Sequence, residues 1–198
     1  MSATSKKKKA SSAQLKEYDE DWKNPMKKPF LEKIVLNIGV GGGGEELEKA
    51  VTVLEQLTGK KPVKTISKVN VKEFNLRKGR PIGCKITLRG NDAERLLKRL
   101  LIVNNNKILQ KSFDNFGNFA FGIDEHIKIP QTDYEASIGL WGMDICGRIT
   151  RPGMRVKYRR KRRTKIPRHH YVSRAEAQYF LKQNFGVGVV KKLDLEYI

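Results

Sequence analysis

Lysine and arginine are the residues of this sequence whose number and spacing most clearly indicate chemistry. The 198 residues include 41 of them against 21 acidic residues, for a formal net charge of +20. The positive charge is concentrated in three segments: residues 1–16 carry five cations and no acid, residues 60–80 carry eight cations and one acid, and residues 145–175 carry twelve cations and no acid. This concentration predicts a surface that binds a polyanion.

Nucleic acid fits the charge pattern better than an anionic membrane. The third basic segment lacks the apolar spacing of a membrane-surface helix, and Pro152, Gly153 and Pro167 interrupt it. No run of about 18 apolar residues exists, and no apolar stretch follows the N-terminal lysines, so we expect an intracellular protein without a membrane partner. Arginine, whose planar group suits phosphate and base edges, dominates the segment: Arg148, Arg151, Arg155, Arg159, Arg160, Arg162, Arg163, Arg168 and Arg174.

Residues 39–44 match the glycine pattern G-x-G-x-x-G of dinucleotide-binding turns, between an expected strand and an expected helix. A pyrophosphate bound there would meet Glu45, Glu46 and Glu48, and the next expected strand, residues 63–67, offers no acid to a ribose. We therefore expect a flexible turn and no cofactor. An enzyme that acts on RNA or a nucleotide through this turn is the first alternative function.

The histidines and cysteines form no recognisable catalytic or metal-binding pattern. His169 and His170 are adjacent, so their side chains diverge, and no further ligands stand at a metal-binding spacing. His126 has no serine or cysteine nucleophile to accompany it. Cys84 and Cys146 lack the CxxC spacing, so we expect two small buried side chains, no metal and no enzymatic activity.

Five strands and three helices are expected to position the basic segments. Period-two alternation predicts strands over residues 33–40, 63–67, 84–89, 113–123 and 136–150. Apolar stripes predict helices over residues 45–58, 91 to about 104, and 173–184. This order predicts an α+β fold: an antiparallel or mixed sheet of about five strands, with helices packed on one face and the other face open for RNA.

Local signals refine these elements. Asn91 with Glu94, and Ser173 with Glu176, match the capping box that starts a helix. Residues 77–83 contain two glycines, one proline and three cations, which predicts a protruding basic loop between two strands. Residues 1–13 are expected to be a disordered basic tail, and residues 14–198 a single RNA-binding domain that includes the basic segment 145–175 and a short C-terminal extension.

Four phenylalanines lie close together in the sequence, at Phe113, Phe116, Phe119 and Phe121. Alternate aromatic residues on a sheet can form a base-stacking platform, but they lie in a hydrophobic core more often. We therefore expect at most one of them to contact a base.

Five segments together resemble the universal large-subunit ribosomal protein five family. They are EKIVLNIGVG at 32–41, LTGKKPVKT at 57–65, RKGRPIGCKITLRG at 77–90, FDNFGNFAFGIDEH at 113–126 and GMDI at 142–145. They occur in the family's order, and RPGMRVKYRRKRR at 151–163 with FGVGV at 185–189 is similar to the archaeal branch.

The resemblance implies a non-catalytic protein of the cytoplasmic large ribosomal subunit. It implies binding to 5S rRNA and large-subunit rRNA in the central protuberance, beside neighbouring ribosomal proteins, and contact with peptidyl-site tRNA. It also implies a contact with a protein of the small-subunit head, from the region between Ile123 and Ser137.

The resemblance also implies the site residues. The tRNA-binding loop comprises Arg77, Lys78, Gly79, Arg80 and Pro81. The rRNA-binding residues on and around the sheet are Asn37, Lys60, Thr65, Lys68, Thr87 and Arg89. The family often has glutamine where this chain has Lys60, which predicts a charge contact to phosphate there. For the eight arginines 148, 151, 155, 159, 160, 162, 163 and 168, rRNA binding is inferred from charge alone.

A generic cationic coat for nucleic acid is the second alternative. Such a coat would bind duplex DNA and 5S rRNA equally, whereas specific recognition requires a preference for one RNA.

Overall fold

The computed structural model describes residues 17–132, 135 and 137–191. The tail expected over residues 1–13, and residues 192–198 of the C-terminal extension, lie outside the described residues. The strands are β1 (Phe30–Gly39), β2 (Val63–Ile66), β3 (Pro81–Leu88), β4 (Lys107–Leu109), β5 (Asn118–Ile123), β6 (Met143–Thr150) and β7 (Gly188–Val190). The helices are α1 (Glu45–Thr58), α2 (Asn91–Val103), α3 (Arg155–Tyr158) and α4 (Arg174–Phe185).

Five of the strands form one antiparallel sheet in the order β2-β3-β1-β6-β5. Strand β1 lies at the centre, and its alternate residues Ile34, Leu36 and Ile38 are fully buried. The expected α+β fold with a five-stranded sheet is therefore confirmed.

Helices α1 and α2 pack on one face of this sheet. Helix α1 lies against β3 and buries Leu47 and Leu54, while α2 lies against β1 and buries Leu97 and Leu100. The bounds expected for α1 are confirmed, because Gly59 adopts a left-handed conformation (φ 65°) that ends the helix. The burial of one face by helices leaves the opposite face of the sheet open.

A second, two-stranded sheet was not predicted. Strands β4 and β7 pair in parallel, and the amide of Gly188 donates to the carbonyl of Asn106 (2.7 Å). Each strand has only three residues, which is too short for a periodic signal, and the pairing joins distant parts of the chain. It holds the end of α4 against the end of α2.

Several expected element boundaries are wrong. Strand β1 begins at Phe30 and not at Lys33, and the strand expected over 113–123 begins at Asn118. The strand expected over 136–150 begins at Met143, because the backbone turns at Ile138 and Gly139, whose amides both donate to the carbonyl of Glu135. Asn91 is the first residue of α2 and not its cap. Gly90 takes the cap position with a positive φ of 63°, and its carbonyl accepts the amides of Ala93 and Glu94.

The basic loop expected over 77–83 is also corrected, because β3 already begins at Pro81. Proline is tolerated at the first residue of a strand. Gly83 lies within the ladder, where an added Cβ would lie 2.6 Å from the carbonyl oxygen of Ile38. This glycine marks a close approach of two strands and not a loop.

The buried and exposed aromatic residues separate clearly. Phe113 and Phe119 belong to the core, and the ring of Phe119 lies over Gly147. Phe121 packs against the core, whereas Phe116 is exposed. The expectation that this cluster is mainly core is confirmed.

No helix among residues 17–132, 135 and 137–191 is long and apolar enough to cross a membrane.

Candidate nucleic-acid interface

The open face of the sheet presents short polar side chains in rows that cross the strands. One row runs from Val63 through Lys85, Asn37 and Asp144 to Gly122. Directly opposed residues of an antiparallel pair project to the same side, so this register fixes the side chains on one face.

The neighbouring rows place the other predicted sheet residues on the same face. Thr87 lies opposite Val35, which lies opposite Cys146. Thr65 lies opposite Gly83, and a Cβ at Gly83 would approach its hydroxyl to 3.1 Å. The structure therefore brings Asn37, Thr65 and Thr87 together on the face that no described helix covers.

Cys146 contradicts one expectation, because it is exposed on this open face while Cys84 is buried in the core. Alternation along β6 explains the difference, since Ile145 and Gly147 occupy the buried side. Partial burial, followed by the nearby Asp144 carboxylate, raises the pKa of the Cys146 thiol, and burial raises the pKa of Cys84 to about 11. Both side chains are thus thiols and not thiolates at neutral pH.

A bulge in β1 organises the cations beside the open face. Glu32 is an extra residue between Leu31 and Lys33, where the register with β6 shifts. Its carboxylate lies 3.0 Å from Nε of Arg148 and 3.7 Å from Nη1 of Arg89. One carboxylate thus holds two of the predicted rRNA-binding arginines at the edge of the face.

Lys60 lies apart from this cluster. Its ammonium group lies 2.6 Å from the Asp92 carboxylate, and both groups are about half exposed. The hydrogen bond and the charge of Lys60 lower the pKa of Asp92. The predicted contact of Lys60 with phosphate requires this exposed pair to open, which costs little in water.

The basic loop is a longer arm than expected, because it includes all of residues 67–80 between β2 and β3. Backbone bonds join Ser67 to Arg80 (2.8 Å) and pair Val71 with Leu76 (2.9 Å in both directions). The tip of the arm exposes Phe74 to 70%. The arm exposes Lys68, which is predicted to bind rRNA, and the predicted tRNA-binding residues Arg77, Lys78, Gly79 and Arg80, whereas Pro81 is half-buried.

The arginine block, residues 148–174, is mostly irregular around the short helix α3. The guanidinium of Arg159 donates to the carbonyl of Arg162 (2.8 Å), whose φ of 52° lies in the left-handed region. The exposed members of the predicted set are Arg155, Arg159, Arg160, Arg162, Arg163 and Arg168. These cations are accessible to a phosphate backbone.

Arg151 differs from the rest of the block, because its side chain is mostly buried and its guanidinium is paired with a buried carboxylate. Its Nη2 donates to both oxygens of the Glu176 carboxylate at 2.7 and 2.8 Å. The exposed fractions of the two side chains are 11% and 2%, and the indole of Trp22 donates to the same carboxylate (3.3 Å). This pair joins the end of β6, helix α4 and the segment before β1. Binding of Arg151 to rRNA stays a prediction.

The same contact corrects half of one expected capping box. Ser173 caps α4 and accepts the amide of Glu176 (3.3 Å), as the spacing predicts. The carboxylate of Glu176 does not return to the cap, because it binds Arg151 and Trp22.

The loop before β6 is held by contacts of its own. The amide of Trp141 donates to Nδ1 of the buried His126 (3.2 Å), and Arg99 donates to the carbonyl of Pro130 (2.7 Å). Burial lowers the pKa of His126. These bonds hold His126 and Pro130, which lie in the region for which the resemblance implies a small-subunit contact, and Leu140 nearby is exposed.

The structure adds residues that the sequence did not single out. Phe30, Lys33 and Tyr158 line a pocket of about 480 Å³ with Arg89 and Arg148, at the end of the open face. Tyr158 lies within the arginine-rich run 151–163. An aromatic residue among cations is the sequence signal that could have identified it as a site residue. The position of Phe30 depends on a strand that begins three residues earlier than expected.

The glycine turn has open space around it. A Cβ at Gly41, Gly42 or Gly44 would meet no atom within 4 Å. Within the described part of the chain, no group of three or more His, Cys, Asp or Glu side chains could hold a metal ion.

Comparisons with known proteins identify relatives across most of the chain. The family model described as ribosomal protein L5 matches residues 24–77, and a second model, described as the C-terminus of the same ribosomal family, matches residues 81–184. Proteins named large ribosomal subunit protein uL5 are similar. Those of Sulfurisphaera tokodaii, Nitrosopumilus maritimus and Pyrobaculum aerophilum are 52%, 46% and 45% identical, over 85%, 84% and 84% of this chain and 96%, 96% and 93% of their own lengths.

Proposed function

Because this chain belongs to the ribosomal protein L5 family, we propose that it binds 5S rRNA through the open face of its sheet. Membership makes it a structural constituent of the cytoplasmic large ribosomal subunit and a non-enzyme, so the alternative of an enzyme acting through the glycine turn is wrong. The remaining question is which surface contacts which RNA.

The observation that carries the proposal is the common face of Asn37, Thr65 and Thr87. Folded RNA is recognised largely by shape and through 2′-hydroxyl and phosphate groups, which short amide and hydroxyl side chains can bond. The cations Lys33, Lys85 and Arg148 share this face and supply the attraction. Exposed arginines of the block extend the contact to large-subunit rRNA in the central protuberance.

Three substitutions on the open face test this proposal. Asn37→Ala, Thr65→Val and Thr87→Val together should lower the affinity for 5S rRNA by about tenfold or more, since each lost hydrogen bond contributes about 0.5–1.5 kcal/mol. Thr52→Ala with Gln56→Ala on the exposed side of α1 is the matched control. Filter binding that shows equal affinity for the triple variant and the control would overturn the assignment of the open face.

The arm of residues 67–80 is proposed to contact peptidyl-site tRNA. Its exposed cations lie on a hairpin anchored to β2 and β3, so it can reach a second RNA while the sheet holds the first. Replacing Arg77, Lys78 and Arg80 by alanine should weaken tRNA retention in assembled subunits and leave 5S rRNA binding nearly intact. A large loss of 5S rRNA affinity would refute this division of roles.

The remaining partners follow from position in the subunit. Neighbouring proteins of the central protuberance are proposed to contact the surfaces beside the sheet. The small-subunit head protein is proposed to meet the region between Ile123 and Ser137. Cross-linking of assembled ribosomes, with mass spectrometry of the linked peptides, tests both; links confined to other surfaces would contradict them.

A further inference from the structure

We propose that the pocket at the end of the open face, between the β1 bulge and α3, binds an unstacked base of 5S rRNA. This inference rests on the proposed function and specifies the kind of nucleotide contact at one place on the same face. The pocket measures about 480 Å³, within the usual range of small-ligand sites.

Two exposed aromatic rings supply the apolar surface that a base requires. Phe30 is 44% exposed and Tyr158 is 54% exposed, and both line the pocket with the buried Met154. Unstacked bases of RNA bind by stacking on aromatic rings or guanidinium planes. An exposed aromatic pair that lines a concave site therefore favours a base over a phosphate alone.

The geometry of Tyr158 shows that its position is fixed before RNA arrives. The hydroxyl of Tyr158 accepts a hydrogen bond from Nη1 of Arg148 (2.7 Å), and the Arg148 guanidinium carbon lies 5.6 Å from the ring centroid. Glu32 holds the other side of the same guanidinium at 3.0 Å. Both the ring and the guanidinium plane are thus preorganised, which lowers the entropic cost of binding.

The charge of the pocket matches a nucleotide with its two flanking phosphates. The cations that line it are Lys33, Arg89, Arg148, Arg151 and Arg155, and Glu32 is the one carboxylate among its described lining residues. Arg151 is already paired with Glu176. Glu32 is already paired with two of these arginines. The exposed Arg89 and Arg155 remain able to meet phosphate oxygens.

The pocket is continuous with the open face, so the RNA that is proposed to bind that face is also the one expected in the pocket. Lys33 and Arg148 line this pocket and also the adjoining cleft on the sheet, with Val35, Asn118 and Cys146. A strand of 5S rRNA that lies on Asn37 and Thr87 therefore needs to extend only along β1 to reach the pocket.

Filter binding of the full chain to 5S rRNA across a salt series tests the proposal. Phe30→Ala with Tyr158→Ala should lower the affinity by about tenfold or more with an unchanged salt slope, since stacking of one base contributes about 1–3 kcal/mol. The single variant Tyr158→Phe keeps the ring and should retain most of the wild-type affinity. Phe116→Ala, at 47% exposure outside the pocket, is the matched control.

Ultraviolet cross-linking of the same complex supplies a second measurement. We expect peptides that contain Phe30 or Tyr158 to carry a 5S rRNA nucleotide. A change below twofold in the double variant, or cross-links only at other aromatic residues, overturns the pocket. If the open-face triple variant then still loses affinity, the proposed function stands without the pocket. If the wild-type chain shows no preference for 5S rRNA, both are overturned.

Discussion

The open face of the sheet and the arginine block are both basic surfaces, but different forces hold them. Asn37, Thr65 and Thr87 are fixed by the backbone ladder of β1, β2 and β3, which sets their spacing whatever the side chains do. The block has little regular structure, and it depends on side-chain contacts such as Arg151 with Glu176. Under the proposed function, the sheet therefore supplies shape recognition and the block supplies charge attraction.

Removal of the buried Arg151–Glu176 ion pair should have the largest effect, because it should lower the free energy of unfolding. Arg151→Ala leaves the Glu176 carboxylate buried without its charged partner and with only the Trp22 indole as a side-chain donor, so we expect a loss of about 3–5 kcal/mol in the free energy of unfolding. Chemical denaturation measures it, with Lys27→Ala as the control, because the Lys27–Asp21 pair is exposed. Equal stability of the two variants would show that the block is held by other contacts.

Charge removal in the block should change the salt dependence of RNA binding. Arg159, Arg160 and Arg163 replaced by alanine should reduce the log-log salt slope by about 2–3, which corresponds to up to about a hundredfold in affinity near 0.15 M salt. The open-face triple variant should lose affinity with an unchanged slope. Filter binding over a salt series distinguishes them, and the same slope change in both variants would remove the proposed contrast.

A single methyl group should disturb the sheet by a smaller amount. Gly83→Ala places a Cβ against the Ile38 carbonyl and beside the Thr65 hydroxyl, so we expect a loss of about 1–3 kcal/mol in stability. Gly42→Ala is the control, since its Cβ would meet nothing within 4 Å. Thermal unfolding of both variants measures the effect, and equal melting temperatures would contradict the close approach of β1 and β3.

The smallest effect is the pH dependence of stability that His126 causes in the loop before β6. The pKa of folded His126 is lowered below its ordinary 6.5, so the unfolded chain binds a proton more readily as the pH falls. The contribution of neutral His126 to the free energy of unfolding is complete above pH 6.5, and it is lost as the pH falls through the pKa of the folded state. The melting temperature of the wild type should therefore fall more between pH 7.5 and 5 than that of His126→Asn. Parallel curves would refute this.

The sequence predicted those features that depend on local signals. Helix α1, the Ser173 cap and the alternation that places Asn37 and Thr87 on one face were all within reach of periodicity and capping rules. Phe113 and Phe119 were also correctly expected in the core. The structural role of each of these residues is set by neighbours a few positions away in the sequence or by strict alternation along a strand.

What the sequence did not predict depends on contacts between distant segments. The role of Arg151 depends on Glu176, 25 residues later, and the position of Glu32 depends on a bulge opposite β6. Gly83 resembles a loop residue until its close approach to Ile38 is known. The pocket of Phe30 and Tyr158 requires two segments far apart in the chain to meet, which no local pattern encodes.

We propose that the open face and the arginine block together recognise one RNA and do not merely attract polyanions. Filter binding of the full chain to 5S rRNA, tRNA and a length-matched DNA duplex across a salt series tests this proposal. We expect a preference for 5S rRNA of about a thousandfold at physiological salt, as in specific nucleic-acid recognition. Equal affinities with one shared salt slope would contradict the claim and leave only a cationic coat.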